Sequence, residues 1–218
     1  MPEKALVLID LQKESGFGIE DIDEVINNTK LLIEACRERG IPIIYTRQIN
    51  RSDRVGLSNG EPIDGEEQPI YYNDLTDAID IFDEVKPELG DIVIDKYRWS
   101  GFFETNLEGT LKSLGVKNVI IGGLVTDGCL MTTVFDGYFR DYQMNIVKDM
   151  CATTNAGAHM ASLLIMANWI YDLRVFNTSE AVNYVQGDSY KAWTATHPDS
   201  LQFTPETMRE KFEKLNGN

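Results

Sequence analysis

Cysteine and long apolar runs are both scarce in this sequence. The chain of 218 residues has three cysteines, at positions 36, 129 and 151. An odd number at such wide spacing does not form a disulfide framework, which favours a reducing compartment such as the cytoplasm. The apolar runs, such as 119–121, are far shorter than the ~20 residues that span a bilayer. The opening Met-Pro-Glu-Lys lacks the basic region and the long apolar stretch of a secretory signal. We therefore expect a cytoplasmic protein.

Basic residues are fewer than acidic residues in this sequence. Twenty Lys and Arg against 35 Asp and Glu leave a net charge of −15. Such a charge repels the phosphate backbone of nucleic acids and anionic lipid surfaces. We expect neither nucleic acid nor a membrane as a partner. The net charge says little about a small-molecule substrate, because a local basic cluster can still attract an anion.

Short apolar segments alternate with helical patterns along the whole chain. Six segments are predicted to be strands: 5–9, 41–46, 92–94, 119–124, 145–147 and 174–176. Apolar residues at helical spacing predict helices over 22–36, 104–114, 128–140 and 155–171. This alternation is the signature of a parallel sheet covered by helices on both faces. We predict a single three-layer α/β/α domain over residues 1–218, a length that suits one core.

Two regions stand apart from this pattern. Residues 50–68 are polar and carry three glycines, which predicts a long loop that suits a lid. The tail, from about 185 to 218, contains aromatic residues and a short amphipathic helix near 208–215. We expect the tail to pack on its own domain or on a neighbouring subunit.

Three polar side chains follow predicted strands. Asp10 comes after the first, Lys96 after the third and Cys129 after the fourth. Parallel α/β sheets place their ligands beyond the carboxyl ends of the strands. A thiol, a carboxylate and an ammonium that meet there form a nucleophile, a base and a charge stabiliser. The sequence alone does not show that the three residues converge.

Cys129 has two interpretations on these residues. A helix is predicted to begin around it, and the positive end of a helix dipole lowers the pKa of a thiol. N–H groups exposed at the same turn can stabilise an oxyanion. Alternatively, Cys129 is a small buried residue, as most free cysteines are. In the same way, Asp10 can be a cap and Lys96 a solvated surface residue.

Three blocks of the sequence resemble the isochorismatase-like cysteine hydrolases, the superfamily of nicotinamidase and N-carbamoylsarcosine amidase. They are LVLIDLQ at 6–12, KYRWSGFFETNL at 96–107 and GGLVTDGCLMTTVFDGYFRDY at 122–142. The resemblance covers roughly residues 4–180. It implies a Rossmann-like sheet of six mainly parallel strands in the order 3-2-1-4-5-6. It also implies a cysteine-dependent hydrolase.

The resemblance implies a role for each residue. Asp10 takes the thiol proton, Lys96 holds Asp10 ionised, and Cys129 attacks the substrate carbonyl to form a thioester. The backbone N–H groups of Val125 and Cys129 receive the oxyanion. The family also has a cis peptide bond at the position that corresponds to Leu124–Val125 here.

The departures from relatives narrow the function. Nicotinamidases bind a metal through an Asp and several His residues after the second strand, whereas residues 46–53 contain no histidine. His159 and His197 are expected to be structural, so we predict no metal and no cofactor. Isochorismatases cleave a vinyl ether without a cysteine nucleophile, so Cys129 favours amide cleavage. The block at 96–107 is most similar to the branch that acts on ureido and carbamoyl compounds.

Residues for substrate binding are predicted less directly. Arg47 is a candidate to hold a substrate carboxylate, because a guanidinium pairs with it in a bidentate manner. Arg51 and Arg54 are weaker candidates, and surface arginines are the alternative. Tyr97 and Trp99 either line a substrate pocket or pack in the core as ordinary aromatic residues. Gln12 either binds the substrate or has a structural role.

The leading hypothesis is an amidohydrolase that cleaves a C–N bond of a small amide, ureido or carbamoyl compound and releases ammonia. A vinyl-ether hydrolase and a catalytically silent binding relative are the alternatives. Relatives commonly form dimers or tetramers, so we expect a homo-oligomer.

Overall fold

Strand β1 (Lys4–Ile9) is apolar after its first residue and lies inside the sheet. Its side chains from Ala5 to Ile9 are all fully buried. A parallel strand covered on both faces requires this continuous apolar run, since neither face meets water. The structure is a computed structural model and describes residues 3–216.

In the part of the chain that the structure describes, seven strands form one sheet in the order β3-β2-β1-β4-β5-β6-β7. The other strands are β2 (Ile43–Gln48), β3 (Ile92–Lys96), β4 (Asn118–Leu124), β5 (Gln143–Ala152), β6 (Arg174–Phe176) and β7 (Trp193–Thr194). The first six pair in parallel, and β7 is antiparallel to β6. The predicted α/β class and the order of six strands are confirmed. The predicted number of strands is wrong by one, because the two residues of β7 are too few to show a pattern.

Within the described residues 3–216, six α-helices surround the sheet. They are α1 (Ile22–Glu38), α2 (Leu107–Ser113), α3 (Met131–Tyr138), α4 (Ala156–Trp169), α5 (Thr178–Gln186) and α6 (Met208–Glu213). The predicted helix over 128–140 is divided, because a π-helical turn at Thr126–Leu130 precedes α3. Helix α5 is not among the predicted helices, although Gly187 ends it in the left-handed conformation typical of a C-terminal stop.

The helices bury two cores, one on each face of the sheet. Along β1, Val7 and Ile9 face the core under α2, α3 and α4. Leu6 and Leu8 face the core under α1 and α5. This alternation follows from the two-residue period of a strand, and it also decides which face each polar side chain at a strand end reaches.

The C-terminal tail lies against the rest of the chain. Helix α6 packs on α4. Leu215, just beyond α6, is fully buried in the core on the α4 side of the sheet. The predicted tail and domain include residues 1, 2, 217 and 218, which lie outside the described residues.

A helix that spans a bilayer needs about 20 mostly apolar residues. No helix within residues 3–216 is both long enough and apolar enough to span a membrane.

Candidate active site

Asp10 is the first residue after β1, and its backbone has a positive φ of 46°. Aspartate tolerates this conformation better than most residues. Its side chain is almost completely buried, and Oδ1 accepts a hydrogen bond of 2.8 Å from the hydroxyl of Thr46 on β2. Oδ2 lies 2.7 Å from Nζ of Lys96. The carboxylate is therefore fixed in a buried position with one oxygen in an ion pair.

Lys96 is the last residue of β3, whereas the predicted strand ends two residues earlier, at residue 94. Besides Asp10, its Nζ donates to Oε1 of Gln48 at 3.0 Å and to the backbone oxygen of Arg98 at 3.1 Å. Together with the Asp10 ion pair, these two hydrogen bonds place the ammonium among oxygen atoms. Burial acts to lower the pKa of Lys96, but the charge of Asp10, followed by the interaction with Cys129, outweighs it and holds the pKa above its usual value. Lys96 is therefore a buried cation.

Cys129 completes this cluster. Its thiol interacts with both the Asp10 carboxylate and the Lys96 ammonium. Although part of its surface is exposed, Cys129 lies deep in the protein. Burial, followed by the Asp10 charge, raises the pKa of Cys129 to about 12, and the opposing effect of Lys96 is smaller. The predicted lowering by a helix dipole is therefore wrong, because desolvation disfavours the thiolate more strongly than a partial charge favours it.

The backbone before Cys129 follows an unusual path. Gly123 has a φ of 126°, and a Cβ there would collide with the backbone of Ile9. The Leu124–Val125 peptide bond is cis. The π-helical turn then begins, with the carbonyl oxygen of Val125 accepting from the N–H groups of Gly128 and Leu130. The turn carries Cys129 from the end of β4 to the start of α3.

Polar residues of the same block tie α3 to the segment after β3. Thr133 donates to the carbonyl oxygen of Cys129 at 2.6 Å and accepts from the N–H of Gly101 at 2.9 Å. Asp136 accepts from the hydroxyl of Ser100 and pairs with Arg140 at 3.0 Å. These contacts hold the Cys129 segment against the segment that carries Lys96.

A cavity of about 770 Å³ opens beside this cluster. Its lining includes Gln48, which contacts Lys96, and Met131 and Thr132, which follow Cys129 in the chain; the three clustered residues themselves are not part of the lining. One wall is aromatic: Tyr97, Trp99, Phe103, Phe135 and Phe139. Another is the loop at 58–62, where Glu61 accepts hydrogen bonds from Asn50 and Ser58. The structure thus places Tyr97 and Trp99 in the wall of the cavity.

The structure does not bring Arg47 to this cavity. Arg47 forms a bidentate ion pair with Asp95, at 2.7 and 3.0 Å. It follows Tyr45 in the two-residue period of β2, and Tyr45 faces the α1 layer. The prediction for Arg47 therefore fails on sheet geometry, since its side chain leaves the opposite face from Gln48. Arg51 and Arg54 are likewise paired, with Asp53 and Glu67.

Gln12 binds backbone groups of the protein itself. Its Oε1 accepts from the N–H of Gln48 at 2.7 Å, and its Nε2 donates to the carbonyl oxygens of Gln48 and Ile79. The residue is completely buried. Its side-chain amide is occupied by backbone groups, which argues against substrate binding, and it positions Gln48 instead.

The prediction from sequence missed Thr46, Gln48 and Tyr72. Thr46 and Gln48 are two positions apart in β2, so the two-residue period of a strand could have predicted that they lie on the same face. Tyr72 belongs to the long loop, and its hydroxyl lies 3.2 Å from that of Ser15. Burial raises the pKa of Tyr72, and the charges of Asp10 and Cys129 add to the effect, so the phenol lies near the cluster. No local pattern marks such a loop residue.

A protein metal site needs several ligand side chains close together. Within residues 3–216, no three His, Cys, Asp or Glu side chains are close enough together to hold a metal ion.

Comparison with known proteins places this geometry in a family. The model of the isochorismatase domain matches residues 4–174, more than half of the chain. This chain belongs to the isochorismatase family. The predicted family is confirmed, and so is the expectation, at the level of the family, of an enzyme with the fold of the isochorismatase-like hydrolases.

Relatives and solved structures agree with this assignment. The chain is 29% identical over 209 residues to the ureidoacrylate amidohydrolase RutB of Serratia proteamaculans, covering 80% of this chain and 81% of that protein. A cysteine hydrolase from Pseudomonas syringae has the same fold, with a TM-score of 0.74, 22% identity and coverage of 85% of this chain and 93% of that one. The N-carbamoylsarcosine amidase of Thermoplasma acidophilum is also similar, with a TM-score of 0.65, 24% identity and coverage of 81% and 97%.

Proposed function

We propose that this protein is a cysteine amidohydrolase that cleaves a C–N bond of a small ureido or carbamoyl compound and releases ammonia. The observation that carries the proposal is the buried cluster of Asp10, Lys96 and Cys129 beside an aromatic cavity. A buried ion pair costs desolvation energy that hydrophobic residues of the same volume would avoid. The interaction of the Cys129 thiol with both Asp10 and Lys96 indicates that this buried ion pair serves catalysis and not stability.

The state of the thiol defines the first step. Because the pKa of Cys129 is about 12, the resting nucleophile is the neutral thiol and needs a base. Asp10 takes the proton as sulfur attacks the carbonyl carbon. The negative charge thereby passes from Asp10 to the tetrahedral intermediate, and the Lys96 ammonium stabilises it. The N–H groups of Val125 and Cys129 hold the oxyanion of the tetrahedral intermediate.

The remaining steps return the enzyme to its resting state. The C–N bond breaks, and ammonia leaves with the proton from Asp10, which leaves a thioester on Cys129. A water molecule then attacks the thioester carbonyl through its oxygen, and Asp10 takes the proton that this water loses. The C–S bond breaks, the acid or carbamate product leaves, and the thiol is restored with that proton.

The relatives and the cavity support a substrate class. RutB is named for its action on ureidoacrylate, and a structural neighbour is named for its action on N-carbamoylsarcosine. An aromatic wall suits a planar ureido group, which stacks on rings and also needs hydrogen-bond partners. We therefore place the substrate among small planar carbamoyl and ureido compounds.

The test is ammonia release across a panel of ureido, carbamoyl and simple amide compounds. We expect activity in the wild type and its loss by at least about 10³-fold in Cys129→Ala, because the whole covalent route depends on sulfur. Cys36→Ala is the matched control, since Cys36 is buried in α1, away from the cluster. Circular dichroism establishes that each variant is folded.

Other outcomes would point elsewhere. Undiminished ammonia release by Cys129→Ala would show that the cysteine is not the nucleophile. No ammonia from any compound with the folded wild type favours an ether hydrolase or a catalytically silent relative. Either result contradicts the proposal.

A further inference from the structure

The turn that carries Cys129 depends on support from outside itself. Residues Thr126–Leu130 form a π-helical turn, a wide turn that is rare in isolation. The proposed oxyanion donors, Val125 and Cys129, lie at its start and within it. Small rotations of these peptide planes would turn the N–H groups away from the substrate, so a contact that holds the turn affects the reaction directly.

One such contact comes from α4. Thr126, the first residue of the turn, is fully buried, and its Oγ1 lies 2.9 Å from Nδ1 of His159. His159 is in the first turn of α4, where Asn155 caps the helix by accepting from the N–H of Ala158. On the other side, the His159 ring packs edge-on against Phe212 of α6, with the ring centroids 5.5 Å apart. The imidazole is therefore held between the turn and the tail.

The charge state of His159 suits this position. Burial, with the nearby charge of Lys148, lowers the pKa of His159 to about 4, and Asp127 opposes the shift only in part. The ring is therefore neutral near pH 7. A neutral imidazole offers one donor and one acceptor and places no additional charge beside the Asp10–Lys96 pair. It can thus fix the turn without altering the charges at the thiol.

We infer that His159 is a positioning residue for catalysis, which acts through its hydrogen bond to Thr126 to hold the Val125–Cys129 backbone in the orientation that binds the oxyanion. This inference rests on the proposed function. It assigns His159 a kinetic role, whereas a residue that only fills the core would affect stability alone.

The test uses variants that separate the hydrogen bond from packing. His159→Leu removes the polar contact, and His159→Asn retains a polar atom near the position of Nδ1. Phe212→Leu changes the packing around the imidazole while leaving the hydrogen bond to Thr126. Thr126→Val removes the hydroxyl at constant shape, and combining it with His159→Leu forms a double-mutant cycle.

Steady-state kinetics, alkylation of Cys129 and amide hydrogen exchange are expected to respond differently to these variants. In His159→Leu, we expect kcat to fall by about 10- to 100-fold, less than the ~10²–10³ lost with an oxyanion donor, while KM stays within about twofold. Alkylation of Cys129 by iodoacetamide should be unchanged, because that displacement forms no tetrahedral oxyanion. Amide hydrogen exchange in the peptide 124–131 should become faster. His159→Asn should recover most of kcat, and the double variant should be no slower than His159→Leu.

Each opposite result overturns the inference. Full kcat in His159→Leu, or an equal loss in Phe212→Leu, removes the role of the hydrogen bond. A parallel loss of alkylation rate shows a general collapse of the site. If the wild type releases no ammonia, the proposed function fails, and hydrogen exchange still decides: unchanged exchange at 124–131 in His159→Leu overturns the positioning role.

Discussion

At the scale of single residues, the Asp10–Lys96 pair and the Cys129 thiol have different electrostatic states. Lys96 keeps its charge because the Asp10 carboxylate, 2.7 Å from Nζ, raises the pKa of Lys96 against the effect of burial. For the thiol, burial and the Asp10 charge outweigh the opposing effect of Lys96, and the thiol therefore stays protonated. The chemistry of the cluster is thus better described as base-assisted attack by a thiol than as attack by a preformed thiolate.

The alkylation rate of Cys129 reports this state. We expect iodoacetamide to label Cys129 faster than Cys36 and Cys151, because only Cys129 among the three is partly exposed. With a pKa of about 12, the thiolate fraction grows about tenfold per pH unit, so the rate should rise from pH 7 to 10 without a plateau. Mass spectrometry of labelled peptides measures all three rates. A plateau near neutral pH would mean that the pKa is lowered after all.

At the scale of elements, the end of β4 and the turn after it set the position of Cys129. Gly123 pairs with Ile9 across the sheet, directly before Asp10. The backbones approach so closely there that no side chain fits. The glycine therefore brings the Cys129 segment next to the strand end that carries Asp10.

Gly123→Ala tests this close approach. We expect a loss of stability of about 3 kcal/mol, because a left-handed conformation and a backbone collision each cost about 1–3 kcal/mol. We also expect loss of activity. Gly109→Ala in α2 is the control, since a Cβ there meets nothing within 4 Å. It should stabilise the protein by about 0.5–1 kcal/mol. Urea denaturation measures both, and similar effects at the two positions would contradict the close approach.

At the scale of the whole molecule, the tail is joined to the core that supports the cluster. Helix α6 covers α4, Phe212 contacts His159, and Leu215 fills the core on that side. The tail therefore contributes both to stability and to the surroundings of the turn.

Leu215→Ala tests the contribution of the tail to stability. Because the side chain is fully buried, its truncation should cost about 2–5 kcal/mol. Leu89→Ala is the matched control, since Leu89 is fully exposed and its change should stay within about 0.5 kcal/mol. Chemical denaturation of both variants gives the comparison. Equal values would show that the tail does not belong to the core.

The sequence by itself determined the layered fold and the neighbourhood of the candidate site. Alternating apolar strands and amphipathic helices define a parallel sheet, and parallel strands align their carboxyl ends, so Asp10, Lys96 and Cys129 were expected at one edge. Strand β7 escaped prediction because two residues show no period.

Only the tertiary structure decided the details of that edge. The face of the sheet separated Arg47 from Gln48, although they are neighbours in the chain. Burial set the pKa of Cys129 against the local effect of a helix terminus. The contact between Thr126 and His159 joins residues 33 positions apart. Burial and long-range contacts depend on how the elements pack together, and no local stretch of sequence contains that information.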